Sequence, residues 1–428
     1  MSGAISACLN QLGGLPIWTI PRQGPAIVSA RLWIRGGSSE DARGERGAAQ
    51  LLAGLLSRGC GSFSGDDLAD RVEGCGAGLR CEASEDNLLL SLKCASEDAA
   101  ALLPLLITMV ADPWLAPDQV ALERQLNLQT LQRQREDPFQ LAHDGLRRQL
   151  YGDGPYGHDP LGLEPELAAL GPEQLRPRAK QQGSAGAVLV VAGQPPEQFE
   201  ALLAETISQH HWSCRAPEAK PGPGSQSGDC FQAIEQDTEQ MVLLLGCPSA
   251  ALGEADGLAL RLLSSHLGIG MSSRLFVALR EEQGLAYDVG VHYPARLGAA
   301  PFVFHMSSSA ERSGEATGEL LDEWLRLLEQ PLSPDELGLA QAKFRGQEAM
   351  GRQTCGQIAD RLALVLGHGL SPDFVDDSLA AAFQLSPTDL QLAARRKLAA
   401  PCLCVCGPPE ALRSAERIWR RHPLSQGR

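Results

Sequence analysis

Nowhere in this 428-residue chain does an apolar run approach the roughly 20 residues a membrane-spanning helix requires. The most apolar segment, 99–110, falls well short of that. The opening residues, MSGAISACLNQLGGLPIW, carry neither a basic stretch nor a long apolar core, so no secretory signal is expected. Twelve cysteines are present, but their spacing has no disulfide-framework rhythm, which points to a reducing compartment. An excess of basic charge is also missing. The net charge of −15 disfavours nucleic acid or an anionic membrane as a partner and suits solubility, while leaving room for basic peptides. No Gly-x-Ser-x-Gly elbow or other nucleophile signature occurs, which argues against an autonomous hydrolase of that kind. The expectation is a soluble cytoplasmic protein.

What is present is enough for two domains. A chain of this length exceeds one ordinary domain. Its 43% hydrophobic and 21% charged composition is that of a globular protein able to bury sizeable cores. The two halves echo each other. Leu115-Ala-Pro-Asp-Gln-Val120 recurs as Leu332-Ser-Pro-Asp-Glu-Leu337, 217 positions later, and Val190-Val-Ala-Gly-Gln-Pro-Pro-Glu197 recurs as Cys404-Val-Cys-Gly-Pro-Pro-Glu410 at nearly the same offset. Two echoes in one order imply a duplicated domain. Between them, residues 216–229 are rich in Pro, Gly and Ser and read as a linker, giving domains at 1–215 and 230–428.

Each half mixes strands and helices. In the first, β-branched and apolar patterning predicts strands over 26–34, 88–93 and 187–192, with helices over 46–56, 66–75, 99–110 and 119–135. The second answers with strands over 240–245, 287–293 and 402–406, and helices over 256–267, 315–328 and 334–349. The fold class is α+β, twice over: two homologous domains, each a mostly antiparallel sheet flanked by helices.

Residues 47–59, Gly-Ala-Ala-Gln-Leu-Leu-Ala-Gly-Leu-Leu-Ser-Arg-Gly, follow Gly36-Gly-Ser-Ser-Glu40. The segment resembles the zinc helix of the pitrilysin/insulinase metallopeptidases, which include the mitochondrial processing peptidases. Active members carry His-x-x-Glu-His there. Positions i, i+3 and i+4 share a helix face, so two imidazoles grip one zinc while the carboxylate works on its bound water. The matching residues here are Gln50, Ala53 and Gly54. Glutamine is a poor ligand beside imidazole, alanine cannot act as a base, and glycine has no side chain. The family's third ligand is a glutamate on a later helix. Alignment on Glu123-Arg124 and Asp137-Pro138 puts Thr130 there, and residues 125–135 contain no Asp or Glu to replace it. Without zinc chemistry, the segment is an amphipathic core helix with Leu51, Leu52, Leu55 and Leu56 inward. Gly54 costs that helix about 1 kcal/mol against alanine.

Other donors offer little. His210-His211 beside the linker read as exposed residues, and Cys402, Cys404 and Cys406 share one strand face as small buried hydrophobes. Cys60, Cys75, Cys81 and Cys94 lack a Cys-x-x-Cys pair and read the same way. Gly268 and Gly270 lack the following lysine of a phosphate loop.

The most family-like stretch runs from Leu267 to Tyr287, with Ser-Arg-Leu, Arg-Glu and Gly-Leu-Ala-Tyr in frame. It resembles the second-domain signature of the same peptidases, in which an arginine and a tyrosine seven residues apart face the active-site chamber. The matching residues are Arg280 and Tyr287. A helix over 272–282, capped by Ser272 or Ser273, would place Arg280 in its last turn and leave Tyr287 to open a strand. A guanidinium forks onto carbonyl oxygens, and a phenol can donate to a developing oxyanion. On residue type alone, Arg280 pairing with a nearby carboxylate and Tyr287 as a half-buried strand aromatic remain the alternative.

Some members of this family work as heterodimers that close around an extended peptide, one subunit holding zinc and the other the Arg/Tyr pair. The resemblance therefore implies a non-catalytic, substrate-binding subunit, inactive alone. It would have no metal or other cofactor of its own, with zinc on a homologous partner. A catalytically inert scaffold of the same fold is the second expectation.

Overall fold

The computed structural model describes residues 7–182, 186–212, 214 and 230–426. The expected linker, 216–229, lies outside the described residues. Among the described residues, mixed helix and strand content is organised around two large sheets, of six and five strands, beside a small two-stranded one.

The first sheet contains β1 (Cys8–Leu12), β2 (Leu15–Pro21), β3 (Ile27–Arg35), β4 (Gly78–Ala83), β5 (Asn87–Ala95) and β6 (Ala187–Gly193), in the order β1-β2-β6-β3-β5-β4. Only β2 and β6 pair in parallel. The second contains β7 (Phe231–Glu235), β8 (Gln240–Pro248), β9 (Asp288–His292), β10 (Pro301–Ser309) and β11 (Cys402–Gly407), in the order β9-β10-β8-β11-β7. Here β11 and β7 form the one parallel pair. Strand for strand, β2, β6, β3, β5 and β4 match β7, β11, β8, β10 and β9. The short sequence echoes therefore mark a duplicated fold, since the crossover is repeated as well as the pattern.

Central strands β6 and β11 are buried at every position, which is why they read as unbroken runs such as Ala-Val-Leu-Val-Val-Ala. A strand covered on both faces has no polar side to alternate with. The edge strand β4, by contrast, alternates exposed and half-buried residues. One core gathers Leu15, Ile17, Leu32, Leu90 and Leu189 under the helices of the first half, and another gathers Leu243, Phe302, Phe304 and Trp324 in the second.

By contact, the chain forms two compact units, neither of them contiguous in sequence. One comprises 1–131, 159–220 and 349–372; the other comprises 132–158, 221–348 and 373–428. Helix α3 (Pro138–Tyr151) belongs to the second unit, where Ala142, Leu146 and Leu150 pack on Val242, Leu244 and Cys404. Helix α6 (Cys355–Gly367) belongs to the first unit, and Arg31 of β3 pairs with its Asp360. The equivalent helix of each half thus covers the sheet of the other. Gly145 lets α3 sit close: a Cβ there would lie 2.6 Å from Cys404 Sγ. Among the described residues, no helix is long and apolar enough to cross a membrane.

Candidate functional site

Helix α1 (Ala48–Leu55) begins at Gly47, whose φ of 105° admits no ordinary side chain cheaply. Its amino end is held from a distance. The Asp41 carboxylate accepts from the Gly47 N–H at 2.9 Å and the Ala49 N–H at 3.1 Å, and Arg178 lies 3.1 Å away. Burial pushes the Asp41 carboxyl up to about 6, against the pull of Arg178 and both N–H groups. Leu51, Leu52, Leu55 and Leu56 are buried, as an amphipathic helix requires.

The other face carries the positions of interest. Ala53 is fully buried, while Gln50 and Gly54 are half-buried. Glu123, from α2 (Pro117–Gln134), lies against Gly54, and a Cβ at position 54 would come 2.9 Å from its Cγ. Arg58 Nη2 donates to Glu123 Oε2 at 2.8 Å. Glu123, held by Arg58, therefore occupies the space in which a side chain on residue 54 would begin. Thr130, one turn short of the end of α2, spends its hydroxyl on the Leu126 carbonyl at 2.9 Å. These residues do not fit zinc: amide, methyl, hydrogen and hydroxyl stand where imidazoles and carboxylates are needed. Among the described residues, no group of three or more His, Cys, Asp or Glu side chains is placed to hold a metal ion. Beside Arg58 opens a cleft of about 770 Å³, lined by Ser57, Ser64, Asp66, Leu68, Trp114 and Asp118.

Arg280 and Tyr287 are held together. Arg280 Nη1 donates to the Tyr287 carbonyl at 2.8 Å, and its guanidinium carbon sits 5.1 Å from the Phe276 ring centroid. The Tyr287 N–H donates to the Ser307 carbonyl at 2.9 Å, which anchors its backbone beside β10. Its side chain is exposed at 60%. The helix expected over 272–282 differs: α-helical at Arg274 and Leu275, it is π-wound from Phe276 to Glu282. A π turn rotates the side chains that follow it, and such turns recur at functional positions.

Just before that turn, Arg274 is buried with Glu323 of α5 (Ser313–Glu329). Arg274 Nε donates to Glu323 Oε2 at 2.5 Å and Nη2 to the Glu323 carbonyl at 3.1 Å. His266, on α4 (Gly257–Gly268), is buried beside them, 3.7 Å from Glu336. Sequence reasoning missed this ion pair, because its partners stand 49 positions apart with no local signal. It also missed that Glu123, used only to align α2, is the residue that fills the space beside Gly54.

Residues 19–162 match the insulinase (peptidase family M16) family, and residues 183–344 match the domain described as peptidase M16 inactive domain. The chain belongs to the insulinase family. An uncharacterized zinc protease of Streptomyces coelicolor is 25% identical over 407 residues, covering 92% of this chain and 88% of its own. An uncharacterized zinc protease of Rickettsia bellii is 23% identical over 365 residues, covering 84% and 88%. Among solved structures, a peptidase M16 inactive domain from Pseudomonas fluorescens superposes with a TM-score of 0.84 at 22% identity, over 94% of this chain and 98% of that one. A protease from Helicobacter pylori gives 0.83 at 18%, over 95% and 100%. For this insulinase-family chain the duplicated α+β sheet is thus the family fold.

Proposed function

We propose that the chain is a non-catalytic, substrate-binding subunit of a heterodimeric zinc metalloendopeptidase. On this reading its own zinc motif has been lost, and a homologous subunit supplies the metal. Arg280 and Tyr287 would reach the partner's active site in trans, the guanidinium binding a peptide carbonyl and the phenol donating to the oxyanion that forms on attack. The observation that carries the proposal is a contrast. Arg280 braces the backbone of an exposed Tyr287, while Glu123, held by Arg58, closes the space beside Gly54.

The peptide would lie extended, and adding to an exposed sheet edge is the economical way to bind it. The test is to purify the chain with a zinc-motif homologue and assay peptide hydrolysis. Activity should require both subunits and fall with Arg280→Ala or Tyr287→Phe; turnover unchanged by either variant overturns the trans contribution. Tight stoichiometric zinc in the chain alone would contradict the loss of its motif. The inert-scaffold reading draws on one observation: Arg280 already spends a donor within its own chain. It predicts stable assembly without hydrolysis.

A further inference from the structure

Three cysteines follow one another on the same face of β11, and only one of them has sulfur across the ladder. In the parallel register of β11 with β7, Cys404 stands opposite Gln232 and Cys406 opposite Ile234. The same register, taken one step back from Leu403 and Phe231, brings Cys402 opposite Cys230. The ladder reaches that rung, since the Leu403 N–H donates to the Cys230 carbonyl at 2.8 Å. There the Cys402 thiol is 2.7 Å from Cys230 Sγ. Neighbouring strands run about 4.8 Å apart, within the Cα separation that a disulfide spans. Cysteines two apart on one strand are about 6.6 Å apart at Cα, near the limit, with Cβ atoms that do not converge. Cys404 is further committed to the contact with Gly145.

From this juxtaposition we propose that Cys230 and Cys402 are a disulfide-forming pair that staples the edge strand β7 to β11. The site is separate from Arg280 and Tyr287 and does not depend on the proposed function. Cys230 is half-buried and Cys402 buried, so an oxidant meets Cys230 first. With glutathione disulfide as the oxidant, Cys230 sulfur attacks one glutathione sulfur and releases one glutathione. Cys402 sulfur then attacks the mixed disulfide at Cys230, forming the Sγ–Sγ bond and releasing the second. Both thiol protons leave with the two glutathiones; the protein dithiol loses two electrons and the glutathione disulfide gains them.

The pair matters because, among the described residues, β7 has a strand neighbour on one side only. Pinning its first rung should suppress fraying of 231–235. The full-length chain is incubated with glutathione disulfide, then digested without reduction and mapped by mass spectrometry. One internal link, Cys230 to Cys402, is expected, with amide exchange in 231–235 slowed at least tenfold and Tm raised on the order of 5 °C. Cys230→Ser should abolish the link, and Cys404→Ser should leave it intact; circular dichroism of each variant confirms folding. Links between other cysteines, a glutathione adduct at Cys230 without an internal bond, or no reaction overturns the proposal.

Discussion

A Cβ built on Gly54 would come within 2.5 Å of the Glu123 carboxylate carbon. That contact recasts a residue which, from sequence, is only a weak point in α1. Glycine inside a helix costs about 1 kcal/mol relative to alanine. Here the absent side chain makes room for Glu123, which in turn holds Arg58.

The relationship predicts a reversal of sign. Gly54→Ala should lower stability by about 1 kcal/mol, because Glu123 must swing away and give up Arg58, outweighing the gain in helix propensity. In a Glu123→Ala background the same substitution should stabilise by up to about 1 kcal/mol. Chemical denaturation of the four chains in a double-mutant cycle measures this. A Gly54→Ala effect of the same sign in both backgrounds would remove the argument.

The Arg274–Glu323 pair should be expensive to break and cheap to replace. Glu323→Ala leaves a buried guanidinium without its carboxylate, at a cost of about 3–5 kcal/mol. Replacing both residues with methionine and leucine should recover most of that loss. Urea midpoints for the single and double variants decide it.

Acid should loosen the second unit before carboxylate titration accounts for the change. Burial holds the His266 imidazole down to about 4, and burial with Arg147 beside it holds His143 down to about 3. Both folded values lie below the ordinary histidine range, so each contribution is complete above about 6.5 and is lost as pH falls through the folded value. Tm should therefore decline from pH 6.5 toward 4, by an amount equivalent to about 3 kcal/mol for His266. His266→Gln should flatten that part of the profile.

Within an active complex, Tyr287→Phe should act mainly on kcat, by about 10²-fold or more, if the phenol donates only to the transition-state oxyanion. Arg280→Ala should raise KM as well, since a guanidinium on a peptide carbonyl binds the ground state too. Steady-state kinetics with saturating partner separates the two. Equal effects on KM with kcat untouched would leave Tyr287 no role in the chemistry.

Much of the architecture was legible along the chain. Strands β3, β5, β6, β8 and β11 were signalled by short apolar runs, because a covered strand needs little beyond continuous burial. The duplication showed in two echoed segments. The edge strands β1 and β4 were not legible, since an exposed edge carries mixed polarity and its pairing depends on a neighbour elsewhere.

What the sequence determined by itself is therefore local: which segments form strands or helices, and that the unit occurs twice. The tertiary structure alone decided three things. It placed α3 and α6 on each other's sheets, because a sheet face buries whichever apolar helix fits it and chain order does not record the choice. It brought Arg58 to Glu123 across 65 positions, and it set Cys230 against Cys402 across 172. Each is a contact between distant residues, governed by packing and hydrogen-bond geometry, which no local spacing encodes.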